Sequence, residues 1–242
     1  MAIEAILFDL FGTVVHFDTS VPTVVAGGER RRTTLGWLEP TIAESLPNVR
    51  FSDFLEAIQA VTREIVADRP PEYLEVRSDE RFRRALRRAG VAAAEADRTC
   101  RHLSEVHMAH IASKTVLPDG HAELLAAISR RTRIGLVSNF DHGPTARRIL
   151  AMHGIDGAFA SVTISDGFGR RKPHPVILLP AAASVGAQPE RCWFVGDSYE
   201  DDVVGARRAG MKVAWLRGGD PTGPLLPDLE IESLAELERL LD

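Results

Sequence analysis

The sequence predicts an α/β protein: a doubly wound, Rossmann-like parallel sheet with an all-helical domain inserted after its first strand. Three observations carry the prediction. Short apolar runs without clean polar alternation recur along the chain, as in strands covered on both faces. Helical segments separate most of them. Between residues 18 and 110 no strand signal interrupts the helical periodicity.

Ala5-Ile6-Leu7-Phe8 is the first apolar run, and it ends at Asp9 before Gly12 and Thr13. It reads as a buried strand entering a turn. The later runs are Ile134 to Val137, Ala160 to Ile164, Trp193 to Val195 and Val213 to Leu216. Helices are expected over Ala122–Ser129, Pro144–Met152, Pro175–Ser184 and Asp201–Ala209. Pro144 suits a first helical turn, and Gly210 suits a C-cap. Within the insertion, Phe54, Leu55, Ile58, Val61 and Ile65 fall on one helical face, with Ser52 as its expected N-cap. Ser78 is the expected cap of a second helix carrying Phe82 and Leu86 and closed by Gly90. Ala93–Ile111 forms a third, with Cys100, Leu103 and Val106 inward. The expected division is a core of residues 1–17 and 111–242 and a cap of residues 18–110.

Composition narrows the function classes. With 45 % apolar and 26 % charged residues over 242 positions, the chain has the make-up of an ordinary soluble domain. A net charge of −5 gives no electrostatic case for nucleic acid. No apolar run is long enough to span a bilayer. Met1-Ala2-Ile3-Glu4 lacks the basic start of a secretory signal, and Cys100 and Cys192 make no disulfide framework. A cytoplasmic protein with two buried thiols is the expectation. Arginine is abundant, whereas lysine occurs only as Lys114, Lys172 and Lys212. A compact ammonium at a special position is something arginine does not reproduce.

In open α/β sheets ligands bind beyond the carboxyl ends of the strands. There the chain places Asp9, then Ser138-Asn139, then Lys172, then Gly196-Asp197-Ser198-Tyr199-Glu200-Asp201-Asp202. A carboxylate, a hydroxyl, an ammonium and an acidic cluster should converge on one edge. In order, Asp9-Leu10-Phe11-Gly12-Thr13, Leu136-Val137-Ser138-Asn139, Arg171-Lys172-Pro173-His174-Pro175 and Gly196-Asp197-Ser198 with Asp202 resemble the four motifs of the haloacid dehalogenase-like superfamily. Each is weak alone; together they span almost the whole chain. The helical insertion resembles that family's cap domain.

The resemblance implies that Asp9 is a nucleophile forming a covalent aspartyl intermediate, chemistry open to a carboxylate. It implies that Ser138 and Asn139 contact the transferring group, Asn139 by its backbone or its amide. Lys172 would neutralise charge on the phosphoryl oxygens and on Asp9. Asp197 would stand close to Asp9, and two such carboxylates repel unless a cation separates them. Mg²⁺ is the implied cofactor, held by Asp9, the backbone carbonyl of Phe11 and Asp197, with Asp202 behind or occasionally ligating. Glu200 and Asp201 read as charges favourable to a helix start. The substrate would be a small anionic, phosphorylated molecule, with no nucleic acid or membrane partner.

One position departs from the family. Its phosphatases carry a second aspartate two residues after the nucleophile, as general acid and then base. Here that residue is Phe11, so a contribution of about 10² to 10⁴ in rate is missing at that position. His16 and His142 are candidate substitutes. The alternatives are a metal-independent 2-haloacid dehalogenase, which needs no acid, a phosphonate-cleaving relative using a cap lysine (for which Lys114 is poorly placed), and a non-catalytic binding or regulatory protein. Elsewhere, Arg30-Arg31-Arg32 after Gly27-Gly28 reads as a solvated basic helix start or as a flexible contact to an anionic substrate. Arg83, Arg84, Arg87 and Arg88 read as a wet helix face. His102, His107 and His110 are imperfectly spaced for a metal site.

Overall fold

The computed structural model describes residues 3–26 and 29–241. The chain divides into two compact units: Met1–Phe17 with Pro71–Glu75 and Val116–Asp242, and Asp18–Pro70 with Val76–Thr115. Against the expected 18–110 insertion, residues 111–115 fall with the second unit and 71–75 with the first.

The first unit is built on a six-stranded sheet. Its strands are β1 (Ala5–Phe8), β2 (Arg133–Ser138), β3 (Ser161–Ile164), β4 (Cys192–Gly196), β5 (Lys212–Leu216) and β6 (Leu229–Ile231), in the order β6-β5-β4-β1-β2-β3. Every pairing is parallel. The apolar runs become strands because both faces are covered. Ala5, Leu7, Val137, Phe194 and Val213 pack with Ile177, Leu178 and Ala182 on one side. Ile6, Phe8, Ile134 and Leu136 are likewise buried and alternate with them. The intervening helices are His121–Arg131, Gly143–Met152, Leu178–Ser184 and Val204–Arg208. β6 was not legible as an apolar run, since Glu230 interrupts it.

The second unit contains the helices Glu39–Ser45, Phe51–Ala67, Ser78–Arg88 and Ala93–Ser113. Phe54, Leu55, Ile58, Val61 and Ile65 are buried together with Phe82, Leu86, Cys100 and Leu103. Both expected serine caps are corrected. Ser52 lies inside its helix, whose N-cap is Arg50. Ser78 is the first residue of its own helix, and its hydroxyl accepts a 2.8 Å bond from Ser104. A hairpin, Thr23–Ala26 with Glu29–Arg32, occupies the start of this unit. Arg30-Arg31-Arg32 is therefore an exposed strand, not a helix start. Within it, Arg31 pairs with Glu29 at 2.6 Å and bonds the Gln59 amide oxygen at 3.3 Å. Gly27 and Gly28 lie outside the described residues.

Cys100 and Cys192 are buried free thiols, and burial pushes the Cys192 thiol up to about 11. Among the described residues no helix is long and apolar enough to cross a membrane.

Candidate active site

The sheet order reverses beside β1, so the crevice beyond the carboxyl ends of β1, β4 and β2 is where such folds place ligands. Register brings the site residues to that level. Phe8 pairs with Val195 on one side and Leu136 on the other, and the Asp9 N–H donates to the Val195 carbonyl at 2.8 Å. Asp197 and Ser138 therefore leave their strands alongside Asp9. Lys172 follows β3 through a helical turn, Ser165–Phe168, and a short loop.

Lys172 is the centre of the arrangement. Its Nζ donates to Asp9 Oδ1 at 2.7 Å and to Asp202 Oδ1 at 2.7 Å, and the side chain is 1 % exposed. The ammonium also lies 4.7 Å from the Phe194 ring centroid. Asn139 fixes the lysine's backbone from both ends. Its amide nitrogen donates to the Lys172 carbonyl at 2.9 Å, and its Oδ1 accepts from the Lys172 N–H at 2.8 Å. The Asn139 amide is thus engaged with Lys172, which leaves its backbone as the expected contact to a transferring group. The other two lysines are partnered elsewhere: Lys114 with Asp18 and Ser20, Lys212 over the Trp193 ring.

Two glycines make room for the carboxylates. Gly12 has φ +85, and a Cβ there would lie 2.2 Å from Asp197 Oδ2. A Cβ at Gly196 would lie 2.2 Å from Asp202 Oδ2, the oxygen that accepts from the Ser198 N–H at 3.0 Å. Trp215 Nε1 donates to the Asp197 carbonyl at 2.9 Å and steadies that turn.

Burial raises the Asp9 carboxyl above its usual range; Lys172 draws it back, and Asp197 adds to the rise. Burial also raises Asp197, with Asp202 adding to it. Asp202 is pushed by burial up to about 7, against the pull of Lys172. Burial alone would lower Lys172, but Asp202 and Asp9 more than offset it and raise it overall. Asp9, Asp197 and Asp202 each offer an oxygen within 4.8 Å of the others. Asp9 and Asp202 share the buried Lys172 ammonium, and the exposed Asp197 adds a third carboxylate beside them, an excess of negative charge. An all-oxygen donor set of this kind fits a hard divalent cation.

These groups line one cavity of about 150 Å³, together with Phe11, Ser138, Asn139, Arg171, Ser198 and Asp201. Ser138 Oγ and Thr13 Oγ1 are buried without a hydrogen-bond partner among the described residues. Phe11 stacks on Phe17 (centroids 4.9 Å apart, planes at 9°) and meets Phe140 at 4.8 Å. Neither substitute histidine lines the cavity. His142 caps the helix Gly143–Met152 by accepting from the Thr145 N–H. His16 meets the Arg217 guanidinium at 2.6 Å, and burial and Arg217 hold its imidazole below the usual range. The three histidines of the second unit are not gathered: His107 bonds Thr34 at 3.0 Å, His110 stacks on Trp37, and His102 is exposed. Glu200 is exposed, whereas Asp201 reaches the cavity wall. Arg171, the first residue of the third motif, and Ser198 also line the cavity, and neither has a role that its place in the sequence indicates.

Residues 3–210 match the sequence model of the haloacid dehalogenase-like hydrolases. The chain belongs to that family. Among similar proteins, a phosphoserine phosphatase from Thermus thermophilus is 34 % identical over 158 residues, 64 % of this chain and 61 % of the relative, less than two thirds of its length. A glyceraldehyde 3-phosphate phosphatase from Methanopyrus kandleri is 27 % identical over 97 % of this chain and 95 % of its own. The fold is shared with a 2-haloacid dehalogenase from Pseudomonas syringae (TM-score 0.72, 24 % identity, 99 % and 98 % of the two chains). It is shared too with a haloacid dehalogenase-like phosphatase from Thermococcus onnurineus (TM-score 0.63, 22 % identity, 99 % and 98 %).

Proposed function

We propose that this hydrolase is a Mg²⁺-dependent phosphatase of small phosphorylated metabolites working through an aspartyl-phosphate on Asp9. The observation that carries the reading is the surplus of carboxylates: Asp9 and Asp202 share a single ammonium, and Asp197 offers an oxygen within 4.8 Å of both. A site that took an anionic substrate without a metal would gain nothing from Asp197. The names of the relatives, phosphatases of phosphoserine and glyceraldehyde 3-phosphate, agree with it.

In this reading an Asp9 oxygen attacks phosphorus as the bond to the leaving oxygen breaks. Water then attacks the same phosphorus and the bond to Asp9 breaks, releasing phosphate. Lys172 orients Asp9 and neutralises developing charge; Ser138 Oγ, buried without a partner, donates to a phosphoryl oxygen. Mg²⁺ would be held by Asp9, Asp197 and the Phe11 carbonyl, where it supplies charge neutralisation. Asp202 acts from behind, by holding Lys172. Phe11 cannot protonate a leaving group, so substrates that leave without help, such as acyl and aryl phosphates, should outrun alkyl ones.

A second reading, the metal-independent 2-haloacid dehalogenase, is favoured by one feature. Phe11, between Phe17 and Phe140, offers an apolar wall instead of an acid. One panel separates the readings. Phosphate release is measured from acetyl phosphate, p-nitrophenyl phosphate, phosphoserine and phosphoglycolate with and without Mg²⁺, beside halide release from chloroacetate and 2-chloropropionate. Mg²⁺-dependent phosphate release that Asp9→Asn abolishes is expected. Metal-independent halide release would replace the proposal with the second reading. No turnover, with Asp9→Asn indistinguishable from the parent, would leave a non-catalytic binding protein.

A further inference from the structure

Residues 72–75 lie within the stretch that looked like helical insertion, yet they belong to the first unit, flanked on both sides by chain of the second. They run as a strap antiparallel to Gly169–Arg171, the loop that ends on Lys172. Leu74 bridges Arg170. The Glu75 N–H donates to the Gly169 carbonyl at 3.1 Å, and the Arg171 N–H donates to the Tyr73 carbonyl at 2.9 Å. Arg170 Nε donates to the Glu72 carbonyl at 3.2 Å. Tyr73 adopts φ +47 to make this turn, a conformation that tyrosine rarely takes without surrounding support.

Glu75 is the buried end of the strap, with a side chain 2 % exposed. Its carboxylate accepts from Arg171 Nη1 at 3.1 and 3.2 Å and from the Ser165 hydroxyl. Ser165 Oγ in turn accepts from the Phe140 N–H at 2.9 Å. Phe140 follows Asn139 and packs on Phe11, two residues after Asp9. Arg171 lines the cavity that holds Asp9 and Lys172. One carboxylate thus ties together the lysine loop, the turn after β3 and the loop after Ser138-Asn139. A buried ion pair is weak evidence for stability, and fixing geometry is a better-attested use of one.

We propose that Glu75 is a positioning residue for the chemistry at Asp9: it restrains Arg171 at the cavity wall and so sets the loop that presents Lys172. The proposal rests on Asp9 and Lys172 carrying the phosphoryl transfer described above. Without the Glu75 charge, the Arg171 guanidinium is released beside Asp9 and Lys172, where it competes for the nucleophile's carboxylate.

The test compares Glu75→Gln, Arg171→Gln, the double variant and Glu72→Gln, whose carboxylate pairs with Arg170 on the exposed side of the same strap. Steady-state phosphate release is read together with amide hydrogen exchange over residues 165–174. Glu75→Gln should lower kcat by about tenfold or more, with a smaller change in KM, as misplacement of a catalytic group does. In the Arg171→Gln background the same change should cost much less, since residues acting through one another are not additive. Exchange over 169–172 should quicken in Glu75→Gln, and Glu72→Gln should match the parent in both measurements. Additive losses, an unchanged kcat, or unchanged exchange in Glu75→Gln each overturn the proposal. A parent protein that releases no phosphate refutes the phosphatase reading, and with it the catalytic role of Glu75. The exchange data then still report whether Glu75 holds the loop, so the two failures are distinguishable.

Discussion

Gly12→Ala adds one methyl group, and the structure says where it goes. The new Cβ would lie 2.2 Å from Asp197 Oδ2, 2.7 Å from Cγ and 3.0 Å from Oδ1. Ordinary contact begins near 3.4 Å, so the carboxylate has to retreat by roughly 1.2 Å. The backbone at φ +85 adds a left-handed penalty of about 1–2 kcal/mol for an L-residue. Gly210→Ala separates the two effects, because Gly210 has φ +76 and nothing within 4 Å of a Cβ. Both variants should lose stability, with Tm falling by about 2–4 °C for each kcal/mol in a chain of this size. Gly12→Ala alone should lose about 10²-fold in kcat/KM, the cost of a displacement of about 1 Å at a reacting centre. It should also need more Mg²⁺, read both from turnover and from the fluorescence of Trp215, whose indole N–H bonds the Asp197 carbonyl. A Gly12→Ala protein that turns over and binds Mg²⁺ as Gly210→Ala does would refute the assignment of Asp197 to the metal.

Three further outcomes are expected. His107, buried in the second unit, is held by burial at about 3 against an ordinary 6.5. Below about 6.5 the unfolded chain takes up a proton that the folded one refuses, so stability falls as pH drops and levels off near 3. Between pH 8 and pH 5 the loss should be about 2 kcal/mol in urea melts followed at Trp37, and absent from His107→Gln; equal slopes would refute it. Lys172→Arg forces a planar fork into a place enclosed by Asp9, Asp202 and the Phe194 ring. It should cost about 10²-fold or more in kcat and about 1–3 kcal/mol of stability, measured by phosphate release and denaturant melts; parent-like kinetics would show that a compact ammonium is not required. Phe11→Asp restores an acid and should raise alkyl phosphate hydrolysis relative to aryl, while losing two ring contacts worth about 0.5–1.5 kcal/mol each; no gain would mean that the proton already has another route.

Four of the sheet's strands could be read because burial on both faces leaves an apolar run, as at Ala5–Phe8 with every residue enclosed; Ser161–Ile164, at one sheet edge, was read from Val162 and Ile164 although only Ile164 is fully buried. Leu229–Ile231, a sheet edge with a half-exposed burial pattern, left no such trace. The hairpin at Thr23–Ala26 and Glu29–Arg32 escaped because its second strand is four exposed residues, all charged. Asp9, Ser138, Asn139, Lys172, Asp197 and Asp202 were legible as strand-end residues, and one cavity gathers all of them. What each bonds to was not legible. Asn139 spends its amide on the Lys172 backbone, a contact across 33 positions, and Glu75 reaches Arg171 across 96. His16 and His142 looked like acids by residue type alone; Arg217 and the helix at Gly143 claim them instead.

In the proposed mechanism Asp9 is phosphorylated during turnover. The direct measurement is rapid acid quench of the Mg²⁺-loaded enzyme turning over acetyl phosphate, followed by peptide mass analysis of the segment containing Asp9. A phosphoryl mass increment on Asp9 is expected, lost once acetyl phosphate is exhausted and missing from Asp9→Asn. Steady phosphate release with no increment on Asp9, and with Asp9→Asn as active as the parent, would contradict the mechanism.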